Sequence, residues 1–348
     1  MVKAQSPFTR AHRGVGAGQR ARIAPWRFGP LMLLMAALGW GCSAASPGPG
    51  PQPASACAPP GPYVLAYFTG DGADGLHLAA SDDGLRWEAL NSGRAIFQPR
   101  VSREQLLRDP NLLRGPDGVF HLVWTAAGFE PVAGYARSTN LRDWSKPRAL
   151  ALMANEPGAK NVWAPKLFYD ESKKNYVIVW ASTVSGRFTE SDASAEPGFN
   201  HRIYYTTTTD FEHLAPTRLL YDPGFSVIDA AIIHEGSRYL MFVKDERRDP
   251  RRKHIVMASA SSPEGPFGVP SDPITKGYAA EGPAPLQIRC RWYLYFEKFE
   301  EAKFGLLVSK DLVDWYDIST SLQAPPNARH GSVLRVPEEI LAPLRAAQ

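Results

Sequence analysis

The chain has 348 residues, 44% of them hydrophobic and 11% aromatic, enough for one sizeable closed core. Its formal net charge is +4, but residues 1–41 hold six Lys/Arg and no Asp/Glu, so the remainder carries 33 basic against 35 acidic residues, a net of −2. No basic stripe is left to meet a nucleic acid, and no Gly-rich loop opens a βαβ unit to take a nucleotide or redox cofactor.

The first element is a leader. Arg10, Arg13, Arg20, Arg22 and Arg27 precede an apolar run, Leu31 to Leu38, and then Gly39-Trp40-Gly41-Cys42-Ser43. A charged region, a short apolar core and small residues are the layout of an export signal, here 1–41, and the run is too short to span a bilayer. Cys42, followed by Ser43-Ala44-Ala45, stands where a bacterial lipoprotein is acylated. Gly39 and Trp40 depart from the Leu and small residue usual there, so two outcomes stay open: an outer-membrane or periplasmic lipoprotein anchored through Cys42, or plain cleavage and secretion. Residues 42–61 are Pro/Gly-rich and read as an extended linker. An exported protein permits a disulfide between Cys57 and Cys290, and two free thiols are the other reading.

From residue 62 onward five short phrases recur in one structural slot: Arg108-Asp109-Pro110, Trp163-Ala164-Pro165, Ile228-Asp229-Ala230, Glu281-Gly282-Pro283 and His330-Gly331-Ser332. Each opens an apolar stretch, then a polar turn, then a second strand rich in β-branched and aromatic residues: Val119 to Trp124, Asn175 to Trp180, Arg238 to Val243 and Trp292 to Phe296. These compositions suit half-buried strands bounded by turns. Third strands end in Ser/Thr-rich runs closed by an apolar residue, as in Ser138 to Trp144 and Ser309 to Trp315, with Ser81 to Trp87 giving the same pattern early in the chain. A fixed period of this size with about four antiparallel strands per unit is the mark of a propeller. The fifth unit runs out of chain after His330, and Tyr63 to Tyr67, Gly75 to Ser81 and Trp87 to Leu90 supply its missing strands. The expectation is therefore all-β: a five-bladed β-propeller over 62–348, closed by pairing of N- and C-terminal strands in one blade, which removes two exposed sheet edges.

Three of the five phrases carry a carboxylate. An Asp before Pro often only initiates a turn, so Asp109 alone says little. Asp229 lies inside the apolar run Val227 to Ile233, where an unpaired carboxylate is costly unless it has a task. Glu281-Gly282-Pro283 could be a surface turn. The register of all three with the blade starts favours a shared catalytic role.

In that order the five phrases resemble glycoside hydrolase family 43 and its five-bladed relatives, from about Tyr63 to the end. The resemblance implies an inverting glycosidase with Asp109 as general base, Asp229 as the auxiliary carboxylate that tunes and orients, and Glu281 as general acid. Such a reaction needs one carboxylic acid to protonate the leaving oxygen and one carboxylate to activate water from the opposite face. Glu281 is then expected to have a raised pKa, through apolar surroundings or a like charge. Trp163 either stacks on a sugar ring or caps the ring interior. Lys166 stands where relatives commonly have an acidic residue. His330 matches an axial histidine that in relatives sometimes neighbours calcium, so a core role and a place beside calcium both stay open; no cofactor is otherwise required.

Loops after the second strands should surround the pocket: Phe68 to Gly75, Thr125 to Gly134, Ala181 to His201, Lys244 to Lys253 and Glu297 to Phe304. Lys244, Asp245 and Arg247 are candidate hydroxyl contacts, and the long Ala181 to His201 loop would wall off a pocket suited to terminal sugars. The expected function is an exported exo-glycosidase acting on arabinofuranosyl, xylosyl or related furanosyl side chains of polysaccharides. A non-catalytic glycan-binding propeller is the alternative from another class. A fructan-active hydrolase ranks lower, because its third and fourth blade phrases would differ from Ile-Asp-Ala and Glu-Gly-Pro.

Overall fold

The computed structural model describes residues 61–347. The expected export signal over 1–41, Cys42, Cys57 and all but the last residue of the expected 42–61 linker lie outside the described residues. Cys290 is disulfide-bonded.

The strands, in chain order, are β1 (Tyr63–Thr69), β2 (His77–Ser81), β3 (Glu88–Ala89), β4 (Arg108–Arg114), β5 (Phe120–Thr125), β6 (Ala133–Ser138), β7 (Arg148–Leu150), β8 (Trp163–Asp170), β9 (Asn175–Ser182), β10 (Arg202–Thr208), β11 (Arg218–Tyr221), β12 (Val227–Glu235), β13 (Arg238–Asp245), β14 (His254–Ala260), β15 (Glu281–Ile288), β16 (Arg291–Lys298), β17 (Lys303–Ser309), β18 (Tyr316–Asp317) and β19 (Ala328–Arg335). They form five antiparallel sheets, ordered β4-β5-β6-β7, β8-β9-β10-β11, β12-β13-β14, β15-β16-β17-β18 and β19-β1-β2-β3. Each sheet is a blade. The inner strands β4, β8, β12, β15 and β19 touch their neighbours in turn, and β19 returns to β4, so the ring is closed. In the fifth blade β1 lies between β19 and β2, with Tyr63 opposite Arg335 and Ser81, as the terminal-strand pairing requires.

Five apolar clusters fill the five gaps between blades. Strand alternation sends successive side chains to opposite faces: Leu122 and Trp124 enter the gap with the fifth blade, and Val123 enters the gap with the second. Likewise Ile178 and Trp180 face the first blade while Val177 and Val179 face the third. The remaining clusters join the third blade to the fourth and the fourth to the fifth. Second strands are thus buried on both faces, not half-buried as their composition suggested. A middle strand between two neighbouring blades has no solvent side.

The turn after each third strand repeats for a local reason. The Oγ of Ser138 accepts from the Leu141 N–H at 2.8 Å while Asn140 Oδ1 accepts from Arg142 and Asp143. Ser309 with Asp311, and Thr208 with Asp210, make the same pattern. Two features depart from expectation. The third blade has three strands, because residues 261–280 carry Pro263, Pro266, Pro270 and Pro273, which cannot donate to a ladder. A C-terminal helix α1 (Glu338–Ala346) buries Leu341 and Leu344 against the junction of the fifth and first blades.

Candidate active site

The five phrases become one structural device. Arg108 pairs with Thr125 and Asn111 with Val123, so Asp109 and Pro110 together oppose one residue of β5, which is a β-bulge. The same slip occurs at Ala164-Pro165, Asp229-Ala230, Gly282-Pro283 and His330-Gly331. In the first four the leading bulged residue is left-handed, with φ of 52° at Asp109, 47° at Ala164, 61° at Asp229 and 65° at Gly282. Asp enters that region more readily than most residues with a side chain. Pro follows in three of the four, where the lost N–H removes no ladder bond. At Gly282 an added Cβ would lie 2.2 Å from the His330 ring, so glycine is also a packing requirement.

The bulges gather Asp109, Asp229, Glu281 and His330 at the axial end of the ring. Asp109 is buried; its Oδ2 accepts from Thr125 Oγ1 at 2.5 Å and its Oδ1 lies 2.9 Å from His330 Nε2. Burial alone would raise the Asp109 pKa, but the His330 hydrogen bond and charge, with Arg108 and Thr125, hold it below the usual carboxylate range. Asp229 Oδ2 accepts from the Gly282 N–H at 2.9 Å. Burial first, and the Glu281 charge beside it, push Asp229 up to about 6. Glu281 Oε2 receives Lys244 Nζ at 2.9 Å, and its Oε1 receives Arg329 Nη2 at 3.0 Å.

The expected rise in the Glu281 pKa is not found. Burial pushes it upward, but the Lys244 ammonium and the His330 imidazolium outweigh burial and keep it ionised. Asp229 carries the upward shift instead, because burial and the neighbouring Glu281 and Asp109 charges outweigh the pull of His330 and Lys244.

His330 is the hub. Its Nδ1 lies 2.6 Å from Glu297 Oε2 and 3.7 Å from Glu281 Oε1, with Asp109 on the other nitrogen. Burial would lower its pKa, yet the hydrogen bonds to Asp109 and Glu297 raise it to about 10, so the ring is an imidazolium donating from both nitrogens. Glu297, also bound by Arg329 Nε at 3.0 Å, is lowered to about 2 against the opposing effect of burial.

Glu281, Glu297 and His330 place donor atoms within 4.8 Å of one another. They do not fit calcium, which takes six to eight oxygen ligands. The two carboxylates are already paired with Lys244 and Arg329, and both ring nitrogens of His330 are taken by Asp109 and Glu297.

Lys166 is buried on the axis beneath this cluster. Its ammonium donates to the Pro283 carbonyl at 2.6 Å and lies 3.5 Å from the Gly331 carbonyl, joining the second blade to the fourth and fifth. Burial lowers its pKa to about 8, partly offset by Asp229 and Asp109.

Of the candidate contacts, Lys244 reaches the carboxylates and Asp245 does not. Neighbours on a strand face opposite ways: Lys244 also binds Glu246 at 2.7 Å, whereas Asp245 is held by Arg247, with Nε to Oδ1 at 3.0 Å. Trp163 is half-buried; its Nε1 donates to the Gly128 carbonyl at 2.9 Å, and its ring lies 5.0 Å from Phe199 and 4.8 Å from His201. The Ala181 to His201 loop is anchored by buried Arg202, which donates to Asn200 and Ser191 at 2.8 Å, and by Glu196, 2.8 Å from Lys253. Lys253 in turn meets Glu246, so ion pairs run unbroken from this loop to Glu281.

Thr125, Glu297 and Arg329 were missed from sequence. Thr125, Lys244 and Glu297 all sit directly opposite the first residue of a bulge phrase, at the last or next-to-last position of a second strand. Working out that register would have found them.

A family described as a probable glycosyl hydrolase domain, related to glycoside hydrolase family 43, matches residues 59–340. Among curated proteins, an α-L-arabinofuranosidase of Bifidobacterium longum subsp. longum is 25% identical over 219 residues, 55% of this chain. The chain spans about one fifth (20%) of that relative's length. Among solved structures, an α-L-arabinofuranosidase from Lactobacillus brevis superposes with a TM-score of 0.49 at 19% identity, over 61% of this chain and 72% of its own. The catalytic domain of a Coprinopsis cinerea GH62 α-L-arabinofuranosidase gives 0.48 at 14% identity, over 79% and 80%.

Proposed function

The chain belongs to the family of probable glycosyl hydrolase domains related to glycoside hydrolase family 43, and on that premise we propose that it is an exported, inverting exo-glycosidase. Its substrate is a terminal arabinofuranosyl, xylosyl or related furanosyl residue on a polysaccharide side chain. The name of the curated relative supports the arabinofuranosyl choice. Anchoring through a lipidated Cys42 belongs to the same proposal.

One observation carries the mechanism: His330 lies 2.9 Å from Asp109 on one nitrogen and 3.7 Å from Glu281 on the other, so the imidazole ring and both of these contacts stand between the two carboxylates. Inverting sites need about 6.5–9.5 Å there, room for a water molecule. Asp109, held ionised, takes a proton from that water as its oxygen attacks the anomeric carbon. The glycosidic C–O bond breaks, and the leaving oxygen takes a proton from Glu281. Glu281 rests ionised, so it must be loaded; a sugar covering the site removes water and raises its affinity for a proton. Asp229, which keeps a proton to about pH 6, is the neighbour that tunes it. Positive charge comes from Lys244, Arg329 and His330, and the reaction as proposed uses no metal.

The test is the anomer first released from an aryl α-L-arabinofuranoside or β-D-xyloside, followed by NMR beside an Asp109→Asn control. Inversion abolished in the control is expected; retention would sink the mechanism, and binding without release would leave a glycan-binding propeller.

The raised pKa of Asp229 favours a second reading, with Asp229 as proton donor. A dinitrophenyl glycoside needs little protonation of its leaving group. It should restore Glu281→Gln but not Asp229→Asn if Glu281 is the acid, and the reverse if Asp229 is.

A further inference from the structure

We propose that Phe129 and Phe199 form an aromatic platform beside the carboxylates that binds a pyranose ring of the polysaccharide backbone carrying the sugar to be cut. The proposal rests on the glycosidase reading and adds the chemistry of its leaving group.

The two rings lie 6.0 Å apart, and Phe199 continues to Trp163 at 5.0 Å. Trp163 precedes Ala164, whose N–H donates to Thr125 Oγ1 at 2.8 Å, and that hydroxyl donates to Asp109. A row of aromatic rings therefore leads from solvent to Trp163, whose chain neighbour Ala164 shares the Thr125 hydroxyl with the candidate base. Phe129 is 71% exposed. Single exposed apolar side chains are common and need no explanation alone. This one differs in how firmly its backbone is held. Glu104 accepts from the N–H groups of Gly128 at 2.9 Å and Phe129 at 3.1 Å, Trp163 Nε1 holds the Gly128 carbonyl, and Glu130 accepts from the Arg103 N–H at 2.9 Å.

An apolar ring carried into water on a firmly held backbone, and backed by Phe199 at 6.0 Å, offers a face to a ligand with an apolar face of its own. A β-linked pyranose with equatorial hydroxyls offers a flat face of C–H groups that lies against a ring, whereas a puckered furanose offers less. The terminal sugar belongs among the carboxylates, and the backbone belongs on the phenylalanines.

Xylohexaose is the probe, with the full chain, Phe129→Ala and Phe129→Tyr compared by calorimetry. The same proteins are assayed on arabinoxylan and on methyl α-L-arabinofuranoside, whose aglycone has no ring. Phe129→Ala should weaken xylohexaose binding and raise KM on arabinoxylan about tenfold, the scale of one aromatic face, and leave the methyl glycoside unchanged; Phe129→Tyr should keep both. Equal xylohexaose affinity in wild type and Phe129→Ala, or no binding by wild type, overturns the platform whatever is hydrolysed. Phe129-dependent binding with no sugar released from either substrate keeps the platform and sinks the hydrolase reading.

Discussion

His330 Nε2 stands 2.9 Å from Asp109 Oδ1, and this contact ties the last inner strand to the first. It holds the candidate base ionised and fixes where it points.

Asp109→Asn removes the acceptor of the water's proton and keeps the shape. Sugar release should fall about 100- to 10,000-fold in kcat, the usual size of one general base. The melting temperature should also fall, because both Asp109 oxygens accept from buried donors, Thr125 Oγ1 and His330 Nε2, and the Asn side chain offers only one acceptor. The loss of kcat is therefore read well below the melting temperature of the variant.

Lys244→Met should move the pH–rate profile. Lys244 is the strongest influence lowering Glu281, so its loss lets Glu281 hold a proton to higher pH. The alkaline limb of kcat/KM should shift upward, while Lys253 still pairs with Glu246. An unmoved limb would show that Lys244 does not set the acid.

His330 has its pKa raised from 6.5 to about 10, so its contribution to stability is fully present below pH 6.5 and lost as pH rises towards 10. Lys166 acts oppositely, its pKa lowered from 10.5 to about 8, so that stability grows with pH above 8. Asp229 titrates near 6. His121, His201 and His254, whose values are lowered by burial, give the opposite slope just above pH 6.5, but they act in wild type and variant alike. The difference between the two proteins isolates His330: from pH 6.5 to 8 the melting temperature of wild type should fall relative to that of His330→Gln.

Lys166→Met leaves the Pro283 and Gly331 carbonyls without their buried donor. A loss of about 1–3 kcal/mol in denaturant unfolding is expected for such a vacancy. Asp229 also loses a nearby positive charge, so its titration should move upward, measurable by NMR of its carboxyl carbon.

The repeat was legible because each blade needs the same bulge, and a left-handed residue followed by Pro leaves a visible phrase in the sequence. Asp109, Asp229, Glu281 and His330 could be found that way. Glu297 could not, since it joins the site through the pairing of β16 with β15, which the phrase itself does not display, and Arg329, one residue before the His330 phrase, carries no mark of its own. The charge state of Glu281 was hidden for the same reason: Lys244 lies on another blade. The double-sided burial of Val123 and Trp124 depends on neighbouring blades on both sides, and alternation within β5 alone cannot reveal it.

Because β19 pairs with β1 and also carries His330, the last inner strand to leave the ribosome both closes the ring and delivers the hub of the site. Contacts of such sequence separation form slowly and late. Blades one to four can assemble as an open arc, but Asp109 has no imidazolium beside it until the arc closes. With Asp109 as the base, catalytic competence becomes a readout of finished folding, and a chain that stops before β19 is expected to release no sugar.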